Sequence, residues 1–271
     1  MPRIKEMIAE ASQVLQGICE NPQKEVRTML SHALGKELLW IMAHDDDTIE
    51  TPQDFLDHIE QRKKSVPLEY ILKQASFYSR EFYVDERVLI PRPETELLVD
   101  HVLGWVKEHQ SLTIAEIGTG SGIISIMLAH FLPQARLIAV DLSKEALEVA
   151  QINAIKHGVS QNITFVHGHL LDDVNVPIDV LVSNPPYIKK DAILDKNLSY
   201  EPSLALFGGE EGDEILKEII DIAHKRKIAL LACEMGYDQR EKITNYLHTL
   251  NAKATFYKDY SDFDRGFLLE G

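Results

Sequence analysis

The chain has 271 residues, a formal net charge of −15, and 45% hydrophobic and 26% charged residues, an ordinary composition for a globular protein of one large domain or two. The acidic balance disfavours free DNA or RNA as a stable partner, because phosphate backbones are repelled. Two distant cysteines, Cys19 and Cys233, offer no disulfide framework or zinc spacing, no metal is expected, and no apolar run approaches the ~20 residues that span a bilayer, so a cytoplasmic, monomeric protein without a membrane partner is expected.

The first segment, residues 1–75, reads as a small helical bundle. It opens on MPRIKEMIAEASQ, whose charges interrupt any signal-like apolar core, while Ile4, Ile8, Ala11, Val14, Leu15 and Ile18 recur at helical spacing. Asn21-Pro22 reads as a cap with proline in the first turn, Val26, Met29, Leu30, Ala33 and Leu34 form the next stripe, and Gly35 ends it. Leu38, Leu39 and Met42 predict a short third helix, and Thr51-Pro52 opens a fourth with Phe55 and Ile59 inside. Residues 76–90 change to β-branched and aromatic residues and predict a linking β-hairpin with its turn at Asp85-Glu86-Arg87.

Residues 91–271 read as a third unit. Pro91-Arg92-Pro93-Glu94-Thr95-Glu96 leads stiffly into a helix carrying Leu97, Leu98, Val102, Leu103 and Val106. Strands at Leu112–Ile117, Leu137–Val140, Ile163–Val166, Val180–Val182 and Ile228–Cys233 then alternate with helices at Ile123–Phe131, from Ser143 to about His157, and at Asp213–His224 and Arg240–Leu250. Alternation of this kind predicts an α/β fold with a mostly parallel sheet, and the closing strands Ala254–Tyr257 and Gly266–Leu269 predict an antiparallel edge hairpin.

Two stretches carry chemistry. Gly118-Thr119-Gly120-Ser121-Gly122 follows the first strand of the α/β unit, where glycines let backbone approach a ligand. The spacing is neither the dinucleotide fingerprint nor the phosphate loop. Asp141 ends the next strand, where a carboxylate accepts from ribose hydroxyls, so the pair predicts an adenosine-bearing ligand without a pyrophosphate. Asn184-Pro185-Pro186-Tyr187 ends the fourth strand. A conjugated amine is a poor nucleophile. The Asn184 side-chain oxygen and the Pro185 carbonyl can accept its two hydrogens and aim its lone pair at an electrophile, with prolines fixing the carbonyl and Tyr187 offering a flat face.

With those residues in view, the chain resembles a class I S-adenosylmethionine-dependent methyltransferase, a Rossmann-like fold, and within it the HemK-type glutamine-N5 methyltransferases of peptide chain release factors. The resemblance covers nearly the whole chain and is most specific at Pro91–Glu96 and at Tyr200-Glu201-Pro202 with Ala205-Leu206. It implies S-adenosylmethionine as cofactor, with Gly118, Thr119, Gly120, Ser121 and Gly122 under its methionine part and Asp141 at its ribose. His169 and Leu170 would lie beside the adenine, and Asn184, Pro185, Pro186 and Tyr187 would grip the substrate amide. The implied partner is a class I release factor, methylated on the glutamine of its Gly-Gly-Gln motif, with the helical bundle as docking unit. The sequence departs from the family pattern at His169-Leu170, where an acidic residue is usual and Asp172 or Asp173 would have to substitute, and at Lys225-Arg226-Lys227, which leads straight into Ile228 and shortens a glycine loop. Two other readings fit the same motifs less well: methylation of an exocyclic amine of adenine or guanine, and a non-catalytic adaptor for release factors or ribosomes.

Overall fold

In the computed structural model, which describes residues 1–107 and 112–271, the chain divides into two units: Met1–Gln74 together with Asp195–Tyr200, and Ala75–Leu194 together with Glu201–Gly271. The first unit is helical: α1 (Ile4–Val14), α2 (Pro22–Leu34), α3 (Leu38–Ala43), α4 (Gln53–Lys63) and α5 (Leu68–Leu72). The side chain of Asn21 accepts from Lys24 N at 3.1 Å and Gly35 closes α2 in the left-handed region at φ 60°. Ile4, Ile8, Met29, Leu30, Ile41, Phe55 and Ile59 meet in one core. Arg62, only 4% exposed, crosses that core edge to pair with Glu25 at 2.6 Å. Tyr200 donates to the carbonyl of Lys64 at 2.7 Å, tying the inserted segment to this unit.

The short third helix forms as expected, and one expectation changes here. Leu38, Leu39 and Met42 lie on the outside of α3, and Ile41 is the residue it buries. A helix of under two turns has few inward positions, and Trp40 packs, partly buried, against the same core as Ile41. The hairpin is shorter than predicted: β1 (Ala75–Phe77) pairs antiparallel with β2 (Arg80–Phe82). Its turn is Tyr78-Ser79, both at positive φ (51° and 54°), as a two-residue loop with the strands' own twist requires. Asp85 instead folds its loop inward, accepting from Tyr83 Oη at 2.8 Å and from Arg87 N at 3.1 Å.

The second unit continues with α6 (Thr95–Val106), β3 (Thr113–Ile117), α7 (Ile123–Phe131), β4 (Arg136–Asp141), α8 (Lys144–Lys156), β5 (Ile163–His167), β6 (Val180–Ser183), β7 (Ile188–Lys189), α9 (Ser203–Leu206), β8 (Phe207–Gly209), α10 (Glu214–Arg226), β9 (Leu230–Glu234), α11 (Arg240–Thr249), β10 (Ala254–Lys258) and β11 (Asp264–Glu270). Seven strands form one sheet in the order β10-β11-β9-β6-β3-β4-β5. β5, β4, β3, β6 and β9 are parallel, and β11 pairs antiparallel with both β9 and β10.

Alternate residues of the central strands enter two cores. Ile114, Val180, Val182 and Leu230 pack with Leu98, Val102, Ile124 and Leu128, while Ala115, Leu181, Leu231 and Cys233 pack with Leu216, Ile219, Ile243 and Leu247. Helices therefore cover both faces, which is why β6 and β9 are buried at every residue. Lys227 takes the left-handed position (φ 52°) that closes α10. From β3 the chain winds outward through β4 to β5, then returns to β6 on the other side of β3. That reversal opens a crevice at the carboxyl ends of β3 and β6. Among the described residues, no helix is long and apolar enough to cross a membrane.

Candidate active site

The loop after β3 turns three times through positive φ, at Gly118 (72°), Gly120 (54°) and Gly122 (83°). The three glycines differ in surroundings. A Cβ on Gly118 or Gly120 would meet nothing within 4 Å, whereas one on Gly122 would sit 3.0 Å from Ile126 Cδ1 and 3.1 Å from Ala150 Cβ. Gly122 therefore permits the close packing of α7 on α8, and the first two leave open space at the crevice. Asp141, at the end of β4, fixes the loop: its Oδ2 accepts from Gly120 N at 2.8 Å and its Oδ1 from Ser143 N at 2.9 Å. The Leu142 backbone N–H is a third donor to this carboxylate, which still has capacity for one further donor. Burial pushes this carboxyl up, against the backbone bonds it accepts. Asn153, fully buried on α8, donates to Ser121 O and to Tyr83 O, both at 2.9 Å, holding the far end of the loop.

Glu116, the last inward acid of β3, is 1% exposed and lines the crevice. Its Oε2 accepts from Thr119 Oγ1 at 2.8 Å, from Ser125 N at 3.0 Å and from Ser125 Oγ, while Oε1 is buried without a partner. Burial raises its carboxyl to about 7 in spite of those donors. A half-satisfied buried carboxylate beside a cavity is suited to a cationic ligand. The sequence reading missed it, although an acid two residues before a glycine turn on a buried strand was the available signal.

Asn184 stands where β6 ends. Its Nδ2 donates to Thr95 Oγ1 at 3.1 Å, and Thr95 Oγ1 donates to Glu234 Oε2 at 2.8 Å. Tyr187 Oη lies 3.5 Å from the other oxygen of Glu234. The Pro-Pro turn runs into β7, which pairs with β8, and this seat depends on a glycine-rich run the sequence reading left unassigned. A Cβ on Gly208 would fall 2.4 Å from Pro186 O, and Gln239, 4% exposed, donates through Nε2 to Tyr187 O (3.2 Å) and Gly212 O (2.9 Å). Glu201 joins the two most specific sequence segments: it accepts from Ile90 N at 3.0 Å and from Arg92 Nη2 at 2.5 Å.

The crevice brings together Gly118, Thr119, Gly120, Ser121 and Asp141 with His169, Leu170, Asn184 and Pro186. Gly122, Pro185 and Tyr187 stand outside its lining, Gly122 and Pro185 buried and Tyr187 half-buried. His169 has a side chain 53% exposed, and Leu170 holds its place at φ 50°. Neither Asp172 nor Asp173 lines the crevice.

Comparison with known proteins gives this geometry a lineage. Residues 6–72 match the PrmC N-terminal domain and residues 93–199 the Methyltransferase small domain. The release factor glutamine methyltransferase of Chlorobaculum tepidum is 38% identical over 91% of this chain and 90% of its own length. A bifunctional methyltransferase of Rickettsia bellii is 35% identical over 89% of the chain, which spans 50% of that longer protein. A solved methyltransferase from Pyrococcus furiosus shares the fold, with a TM-score of 0.54 at 17% identity, covering 72% of this chain and 90% of that one. On the full-length likeness, the chain belongs to the release factor glutamine methyltransferase family.

Proposed function

We propose that the chain transfers a methyl group from S-adenosylmethionine to the side-chain amide nitrogen of the glutamine in the Gly-Gly-Gln motif of a class I release factor. The observation that carries this reading is the single crevice that holds the glycine loop, Asp141 and Asn184 together. The residues present fit the cofactor: open space at Gly118 and Gly120, remaining acceptor capacity on the Asp141 carboxylate, and the unpartnered Oε1 of Glu116 for a cationic group. Gly118 to Ser121 would pass beneath it, Asp141 would hold its ribose, and His169 and Leu170 would flank its base. When bound, it supplies a methyl group on a sulfonium, an electrophile that needs no metal or general acid.

The protein's own part is to orient the amide. Asn184 Oδ1 and the Pro185 carbonyl would accept its two hydrogens and turn its lone pair toward the methyl group. Tyr187, whose hydroxyl burial pushes up to about 12, stays neutral and would act as a wall beside the amide. The alkylated nitrogen is acidic, so its proton leaves to water without a strong base. The helical unit would hold the body of the release factor. The test is mass spectrometry of a class I release factor incubated with the protein and S-adenosylmethionine. One methyl on the Gly-Gly-Gln glutamine, reduced about a hundredfold or more by Asn184→Ala, is expected. An unmodified factor, with the cofactor shown to bind, would rule the reading out.

A further inference from the structure

An asparagine amide presents an acceptor on one side and a donor on the other, and a half-turn exchanges them. Only one orientation of Asn184 serves a substrate that is itself an N–H donor. Behind Asn184 lies a chain of groups that decides which. Thr95, fully buried at the first turn of α6, has one hydroxyl proton. Glu234, 1% exposed at the end of β9, accepts that proton through Oε2 at 2.8 Å. An ionised carboxylate cannot give a proton back, so the Thr95 oxygen has only lone pairs to offer Asn184, and it accepts from Nδ2 at 3.1 Å. Oδ1 is thereby left to the crevice that Asn184 and Thr95 both line.

We propose that Thr95 and Glu234 are positioning residues which lock the Asn184 amide in its acceptor orientation, and that a proton on Glu234 releases the lock. The inference rests on the methyl-transfer reading above for its effect on turnover, though not for the lock itself. Protonated, Glu234 can donate to Thr95, Thr95 can donate to Asn184 Oδ1, and the amide can turn its NH2 toward the substrate, where donor would face donor. The groups around Glu234 are Arg265 from β11, Glu94 before α6, Tyr187, Cys233 on its own strand and Tyr257 from β10. Burial dominates over Arg265 and over the Thr95 bond, so the carboxyl is raised to about 7. The switch therefore falls within the neutral range.

The experiment follows methyl transfer to a class I release factor from about pH 5.5 to about pH 9, with the 1H–15N side-chain resonance of Asn184 recorded over the same range. Wild type should show kcat rising through about pH 7 to a plateau, and an Asn184 resonance that titrates with the same midpoint. Thr95→Ser keeps the hydroxyl and should stay within about twofold. Thr95→Val should lose about tenfold or more in kcat, with the KM for S-adenosylmethionine nearly unchanged. Glu234→Gln should be low and flat with pH, its Asn184 resonance no longer titrating. Glu116→Gln should leave the Asn184 titration in place, separating the two buried acids. A Thr95→Val enzyme with wild-type kcat would overturn the lock. So would an acid limb that survives in Glu234→Gln, or an Asn184 resonance indifferent to pH while transfer proceeds. If wild type transfers nothing yet the resonance titrates and Glu234→Gln abolishes that titration, the lock stands and the methyl-transfer reading falls.

Discussion

Glu116 and Glu234 are buried acids at the carboxyl ends of β3 and β9, the two strands that flank β6, and both are raised toward neutrality, chiefly by burial. A carboxyl whose folded pKa exceeds its unfolded value contributes stability that is complete below the unfolded value, 4.5 for glutamate, and is lost as pH rises through the folded one, about 7. The cofactor-free protein should therefore melt progressively lower between about pH 5 and about pH 7.5. Glu116→Gln should flatten part of that slope, and calorimetry across the window checks it. A slope unchanged by Glu116→Gln would mean that its carboxyl ionises normally. For Glu116 the residue type and place were legible in the sequence, but its burial and its orphaned oxygen were not. They arise from Ser125 and Thr119, which fold over one side of the carboxylate and leave the other bare.

At the level of elements, the glycine loop and the Pro-Pro turn are each seated by parts of the chain far away in sequence. Gly122→Ala should destabilise the fold by about 1–3 kcal/mol, because φ is 83° and α8 stands 3.1 Å from the new methyl. Gly118→Ala meets no neighbour, so thermal unfolding should show a smaller loss and titration calorimetry a larger loss of S-adenosylmethionine affinity. Gly208→Ala would place a methyl 2.4 Å from Pro186 O and 2.5 Å from Gly212 O, so backbone must shift. A displacement of about 1 Å at the reacting group costs on the order of a hundredfold in rate. Single-turnover kinetics should show that fall, and the backbone clash should lower the melting temperature as well.

At the scale of the whole molecule, the net charge of −15 weighs against a nucleic-acid partner. Filter binding with transfer RNA or duplex DNA at low salt should retain nothing at micromolar protein, since no surplus of cations is present to release counterions. Tight binding that weakens steeply with salt would favour a nucleic-acid substrate instead. Asp195–Tyr200 returns to the helical unit in the middle of the second unit's sequence, so the chain connects the two units on either side of the segment as well as at Gln74.

Periodicity determined the alternating α/β order, the edge hairpin and the first four helices of the first unit, because burial on one face or both imposes 3.6- or two-residue repeats that can be read along the chain, whereas the one-turn α5 carried no such repeat. Glycines at 118, 120 and 122, Asp141 and the Asn-Pro-Pro-Tyr turn were legible for a related reason: special backbone geometry and charge at strand ends leave residue types that little else explains. Tertiary structure decided the rest. That Thr95 and Glu234 stand behind Asn184, that Asn153 pins Ser121, and that Gln239 with Gly208 seats the Pro-Pro turn are contacts across 22 to 139 positions of chain. A buried polar side chain looks the same in sequence whether it is solvated or partnered. Only the packing that removes water from it, and the partner brought against it, assign its role.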